Sequence, residues 1–265
     1  MTWLRMLGAV LVALTMTGCS GRAVSAPAPA LPADQMVFTV MTGGGLVRPV
    51  NYAMESPSVV IYGDGRVLTI SADSAPLVPT RYDLARIDPA TVASFVSGVE
   101  AGGVISPGTD FGTPRVTDLA TTTVMLNGAN GPVQVSAYVL IEQFETELTA
   151  PQRSARAALR AIIDEADSLS AGATRSPYAP DRVVVYELDP KYEDEPATIG
   201  WPGPPPSSFL TPTDKRRSIA CGELIADPAE VVYQAALTNP GARWLVDGAT
   251  RVLAVNPLPL ADACP

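Results

Sequence analysis

The 265-residue chain predicts an α+β fold in which antiparallel β-hairpins are backed by single helices, in one body or in two small subdomains. Three observations carry this expectation. Two β-rich stretches fold back on tight Gly- and Asn-containing turns, each hairpin is followed by one amphipathic helix with its own start and stop signals, and the pattern resumes after a Gly/Ser/Pro-rich seam.

The elements follow in order. "MVFTVMTGG", from Met36, reads as a strand ending in glycines. "SVVIYGDGRVLTI", Ser58 to Ile70, is a hairpin around Gly63-Asp64-Gly65. In "IDPATVASFVSGVEAGG", Asp88 caps a helix, Pro89 suits its first turn and Gly102-Gly103 ends it. Val92, Phe95, Val96 and Val99 then share one face. "TTTVMLNGANGPVQVSAYVL" gives a second hairpin turning between Asn127 and Pro132.

"TAPQRSARAALRAIIDEADSL" gives a longer helix with Ala155, Leu159, Ile162, Ile163 and Ala166 inward. Its Arg153, Arg156 and Arg160 precede Asp164, Glu165 and Asp167, the wrong order for the helix dipole. That order costs a few tenths of a kcal/mol, roughly, which burial of the apolar face outweighs.

Residues 171–181 read as a linker between an N-terminal domain, 35–170, and a C-terminal subdomain, 182–265. In the second part "RVVVYEL" and "RVLAVNPL" read as strands. "DPAEVVYQAALTNPG" is a helix with Asp227 and Glu230 at capping-box spacing and Asn239-Pro240-Gly241 as its stop. The Asp-Pro-Ala-x-Val starts at Asp88 and Asp227 are read as two uses of one capping chemistry rather than as a duplication.

Charge and composition then narrow the function. With 18 basic against 27 acidic residues the formal net charge is −9. That argues against nucleic acid, which needs clustered Lys and Arg, and against a body lying flat on an anionic bilayer. The chain has no histidine, which removes Ser-His-Asp and Cys-His activation and the usual zinc ligands.

At the N-terminus Arg5 precedes an apolar run, Leu7 to Leu14, and then Thr15-Met16-Thr17-Gly18-Cys19. About 20 apolar residues would be needed to span a bilayer, so residues 1–18 read as a secretory signal. Small residues ending in a cysteine resemble the lipobox of bacterial lipoproteins, with Met16 where Leu is usual. That resemblance implies a mature chain beginning at a diacylglyceryl-modified Cys19, exported and held by its lipid on the outer face of the cell membrane. Ordinary cleavage is the alternative, but Val24-Ser25-Ala26 is followed by Pro27, a poor bond to cut.

Residues 19–34 are Pro/Ala-rich and read as a tether. At about 3.1 Å per residue it holds the body roughly 40 Å from the bilayer. Setting Cys19 aside leaves Cys221 and Cys264, which read as a disulfide in an exported protein, with two separate thiols as the alternative. The Tyr-Gly-Asp-Gly-Arg-Val hairpin followed by a capped helix ending in Gly is similar in plan to exported lipoproteins of actinobacterial envelopes. The resemblance brings no catalytic residues.

Residue patterns for chemistry are sparse. No phosphate loop, dinucleotide fingerprint, nucleophile elbow, S-x-x-K or C-x-x-C occurs, and no cofactor or metal site is read. Asp64, in its Gly-Asp-Gly turn, lacks the alternating acids calcium needs. "YEDEP", Tyr192 to Pro196, with Asp181 and Asp189 upstream, is an acidic cluster suited to an exposed loop.

"WPGPPPSSF" offers a candidate recognition segment at Trp201, Pro204, Pro205 and Pro206, or else a stiff loop laid over the second half with Trp201 buried. Lys215, Arg216 and Arg217 form a small basic spot. The expectation is a non-catalytic binding protein of the cell envelope with a protein or small-molecule partner. The alternatives are a carrier of a small or apolar ligand, or a histidine-free hydrolase built on carboxylates.

Overall fold

The structure, a computed structural model, describes residues 31–74, 79–189, 199–213, 218–239, 241–257 and 264. The signal segment, Cys19, the tether up to residue 30, the Tyr192–Pro196 cluster and the basic Lys215–Arg217 lie outside the described residues.

The fold is α+β, with its strands in two antiparallel sheets. The first sheet holds β1 (Met36–Gly43), β2 (Val59–Tyr62), β3 (Arg66–Ile70), β4 (Tyr82–Arg86), β5 (Thr121–Gly128), β6 (Gly131–Tyr138) and β7 (Arg175–Pro177). Their order across the sheet is β6-β5-β1-β2-β3-β4-β7. The second holds β8 (Arg182–Leu188), β9 (Thr211–Pro212), β10 (Ser218–Ile225), β11 (Arg243–Val246) and β12 (Ala249–Asn256), in the order β11-β12-β8-β10-β9. The helices are α1 (Pro49–Ala53), α2 (Pro89–Gly102), α3 (Ala150–Ser168) and α4 (Asp227–Thr238).

Local signals place the first hairpin and α2 where the sequence puts them. The Asp64 carboxylate accepts the Arg66 N–H at 3.1 Å and closes the β2–β3 turn. Gly65 sits at φ +90°, and a Cβ there would lie 2.1 Å from the Ile87 carbonyl oxygen, so only glycine fits. Asp88 accepts the Ala90 N–H at 2.9 Å, and Gly103 ends α2 in the left-handed region at φ 66°. Val92, Phe95, Val96 and Val99 are buried against Val40, Ile61 and Val124 of the first sheet, with Phe95 packed edge-on to Phe38.

In α3 the capping box Thr149–Gln152 is formed in both directions. Leu159 and Ala166 are buried, with Ala155, Ile162 and Ile163 half-buried beside them. Arg156, one of the three arginines set against the helix dipole, has its side chain fully enclosed. Its Nε donates to Glu145 Oε1 at 2.7 Å, Nη1 to the Phe111 carbonyl at 3.2 Å, and Nη2 to the Tyr138 carbonyl at 3.1 Å and to that of Val139. Arg160 donates to the same Glu145, and Arg153 to the Leu148 carbonyl. The arginines stand early in the helix because their acceptors are there, not because of the dipole.

The capping box expected at Asp227 is also corrected. Ala226, at φ 54°, occupies the cap position without a side-chain bond, and Asp227 is the first helical residue. The Ala226 N–H is drawn to the Asp181 carbonyl at 2.8 Å, which leaves Asp227 in the first turn, where its charge favours the helix dipole. Asp88 and Asp227 therefore start their helices differently.

Strands β4, β10 and β11 and helix α1 have no counterpart in the sequence reading. The ladder of β10 slips between Ser218 and Ala220, which breaks the alternation a strand would show. The β11–β12 turn did carry a signal, Asp247-Gly248 with φ 49° and 79°, the Asp-Gly pair of a type I′ hairpin.

Residues 171–181 include β7, which edges the first sheet, so the connection to β8 is only 178–181. The two sheets are also tied elsewhere. Helix α1, between β1 and β2 in sequence, buries Val50 and Ala53 against the second sheet at Val184, Tyr186 and Val252. Asn256, at the end of β12, is buried; its Nδ2 donates to the carbonyls of Ala53 (3.2 Å) and Glu55 (2.7 Å), and its Oδ1 accepts from Ser56 Oγ. The Tyr233 hydroxyl of α4 donates to the Thr80 carbonyl at 3.1 Å.

Cys221 on β10 and Cys264 form a disulfide spanning 43 residues, beside the face that α1 covers. By the chain-entropy estimate a loop of this length contributes about 4 kcal/mol. The double variant Cys221→Ser, Cys264→Ser is expected to unfold in denaturant with a loss of that order, measured against the oxidised wild type.

Removing Arg156 leaves the enclosed Glu145 with Arg160 as its remaining cation and takes the donor from the Phe111, Tyr138 and Val139 carbonyls, at a cost of about 3–5 kcal/mol. Arg156→Met is expected to lose that much in a denaturant titration, and Arg156→Lys most of it, because an ammonium cannot reproduce the guanidinium fork. A loss under 1 kcal/mol in Arg156→Met, roughly the worth of a surface pair, would contradict this account.

Candidate binding seam

The line along which the two sheets meet carries the candidate site. It forms because β7 leads through the short 178–181 connection into β8, so the ends of β2, β3 and β4 face α4 and the start of β8. On the far side of the first sheet from α2, Val60, Tyr62, Leu68 and Tyr82 pack together, with Met36, Leu84 and Tyr178 at the margin. Tyr178 stands edge-on to Tyr82, ring centroids 6.4 Å apart, and borders two hollows.

The first hollow, about 350 Å3, lies where the chain enters the fold. Its wall includes Asp34, Tyr62, Arg66, Asp181 and Arg182. The Arg66 guanidinium lies over the Tyr62 ring, 4.2 Å from its centroid, and its Nε is 2.8 Å from Asp64 Oδ2. Just outside, Leu31 packs on the first core and Pro32 covers Gly63, so the end of the expected tether belongs to the folded body. The Gly63 and Asp64 N–H groups donate to the Gln35 and Ala33 carbonyls at 3.1 and 3.2 Å.

The second hollow, about 330 Å3, lies between the β3–β4 end of the first sheet and α4. Arg81 donates from Nη1 to Asp73 Oδ2 at 3.1 Å, and Ser71 Oγ donates to Asp83 Oδ1 at 2.7 Å. Tyr82, Tyr178 and Tyr233 supply the aromatic wall, and Leu237 an apolar one.

The tyrosine hydroxyls of the seam are held neutral. Burial pushes Tyr233 up to about 12, against the lowering effect of the nearby Arg81 charge. Burial likewise raises Tyr82, Tyr178 and Tyr62, and in Tyr62 Arg66 works against the rise. Such groups donate hydrogen bonds and offer flat faces; they are not bases.

The seam offers charged groups, hydroxyl donors and aromatic faces. Among the described residues no three His, Cys, Asp or Glu side chains come together as a metal site. Among the described residues the one deeply buried carboxylate, Glu145, is outside the seam. Burial would raise its pKa, but hydrogen bonds and charge from Arg160 and Arg156 outweigh that and hold it below the ordinary range. It is kept ionised, the reverse of what a general acid needs.

The sequence-derived candidates fall elsewhere. Trp201 is half-buried, edge-on to Trp244 with centroids 5.2 Å apart, and its Nε1 donates to the Pro204 carbonyl at 2.8 Å. Pro206 is buried, Pro204 half-buried and Pro205 exposed. The segment straps the core of the second sheet with Phe209 and Leu210. Asp64 closes its turn, and Asp181 lines the first hollow. Sequence reasoning missed Arg81, Asp83, Tyr178 and Tyr233, which lie far apart in the chain. Tyr178 and Tyr233 stand singly in the chain, and no spacing or motif pointed to them.

No family model, curated protein or solved structure matches the chain.

An alkaline titration checks the seam. Unfolded tyrosines ionise near pH 10, whereas Tyr233 in the fold waits until about 12. The unfolded chain therefore loses protons first, and stability falls as the pH rises between those values. Tyrosinate absorbance of the native protein is expected to stop short of all eight tyrosines until unfolding releases the rest. Eight tyrosines ionising near pH 10 with native circular dichroism would contradict the buried seam.

Proposed function

We propose that this is an exported bacterial lipoprotein, anchored through Cys19 to the outer face of the cell membrane. It binds a partner or a component of the envelope and catalyses nothing. The observation that carries the reading is the succession at the N-terminus: an apolar signal, a lipobox-like Thr-Gly-Cys, a Pro/Ala tether, and then a chain that enters the fold beside the seam. An anchor of this kind sets location and local concentration, and the seam provides the surface for recognition.

Two features favour binding over the alternatives. The hollows of the seam open to solvent and mix guanidinium, carboxylate and tyrosine, which suits a polar partner better than a sequestered lipid. The neutral tyrosines and the firmly ionised Glu145 do not make an acid–base pair.

The test has two readouts on protein from its own membranes. Intact mass is expected to show a chain beginning at Cys19 with diacylglyceryl added, and Cys19→Ser is expected to leave the membrane fraction. A photo-crosslinking residue placed at Arg182, exposed on the wall of the first hollow, is expected to capture a discrete envelope partner in living cells. An unmodified N-terminus would remove the anchor, and a lipidated protein without a crosslinked partner would remove the binding role.

A further inference from the structure

We propose that the second hollow is a binding site for a small zwitterion of the amino-acid class, its carboxylate on Arg81 and its ammonium on Asp83. The proposal rests on the seam being a recognition surface and names the chemistry recognised there.

Arg81 is the anomaly that points to a ligand. Its Nε is shut off from water and makes no hydrogen bond among the described residues. Native proteins seldom leave a buried donor unpaired, least of all on a charged group. The guanidinium is not idle, since Nη1 holds Asp73, but that aspartate is 70% exposed and the pair is easily opened by a competing oxygen. Nε is enclosed and stays out of a ligand's reach, so a carboxylate would be taken at the exposed end of the guanidinium in place of Asp73, in the charge-assisted geometry that guanidinium favours.

Asp83, two residues on from Arg81 and so on the same side of the strand, sets the rest of the ligand. Asp83 has one carboxylate oxygen engaged, by Ser71 Oγ at 2.7 Å, and the other makes no hydrogen bond among the described residues. A simple anion such as phosphate would meet Asp73 and Asp83 as well as Arg81, and a simple cation would meet Arg81. A molecule carrying both charges side by side meets each with its complement. The Tyr178 ring and Leu237 line the same hollow and would take an apolar side chain. A volume of about 330 Å3 lies at the small end of ligand pockets, which fits a single amino acid.

The full lipidated chain in detergent is titrated by calorimetry with free leucine and phenylalanine, their N-acetyl derivatives, their amides, and inorganic phosphate. Saturable binding of the free amino acids is expected, at least tenfold weaker for the N-acetyl and amide forms, and none for phosphate. Arg81→Gln and Asp83→Asn, each checked for a native circular dichroism spectrum and melting point, are expected to weaken binding at least tenfold. Rescue by Arg81→Lys is expected to be partial.

N-acetyl derivatives binding as well as the free amino acids would overturn the role of Asp83. Phosphate binding as well as they do, or no binding of any probe up to millimolar concentration, would overturn the proposal. Crosslinking from Arg182 in cells is independent of these probes. A captured partner with no amino-acid binding refutes this site alone, and loss of both refutes the binding role as well.

Discussion

The buried Arg156–Glu145 pair is the contact on which the first half of the molecule depends. A guanidinium with no exposed surface must have every donor met, and its acceptors come from several segments: Glu145, Phe111, and the residues Tyr138 and Val139 that end β6. Those segments run in sequence before α3. By fixing α3 against the end of β6, the pair also settles how the helix layer sits on the sheet. Glu145 accepts from Arg160 as well, so one carboxylate answers two charges. Ion pairs of this depth contribute less net stability than their contact suggests, and what they supply is a unique arrangement.

A second set of constraints brings the two sheets together. Asn256 uses both its amide hydrogens and its oxygen on the chain around Ala53 to Ser56. Helix α1 belongs by sequence to the first half yet is buried on the second sheet. Because the halves exchange elements in this way, the seam between them has fixed walls. A site on such a seam can hold Arg81, Asp83 and α4 in register, which two bodies joined by a loose linker could not do.

The tether gives the seam its setting. Its last residues run over the β2–β3 turn, with Pro32 against Gly63 and Asp34 within 3.8 Å of Arg66. The chain therefore leaves the body beside the first hollow. Under the proposed anchoring, the seam lies beside the point where the lipid-bearing segment joins the body. The negative net charge of the chain suits a body that stands away from anionic headgroups rather than one that lies on them.

What the sequence determined by itself was local. Asp88 and Gly103 mark the ends of α2 because capping needs only neighbouring N–H groups and a left-handed stop. Gly63-Asp64-Gly65 marks a hairpin because a two-strand turn is closed by its own residues, and Val92, Phe95, Val96 and Val99 announce a buried face by their spacing alone. Only the tertiary structure decided the rest. Arg156 looks like a surface charge until Glu145 and the Phe111 carbonyl are brought to it. Asp227 looks like a cap until Asp181 takes the N–H before it. Arg81, Asp83, Tyr178 and Tyr233 have no shared pattern in the chain; they meet because strand pairing and the packing of α4 close a gap of some 150 residues, and no periodicity in a sequence encodes a contact between segments that far apart.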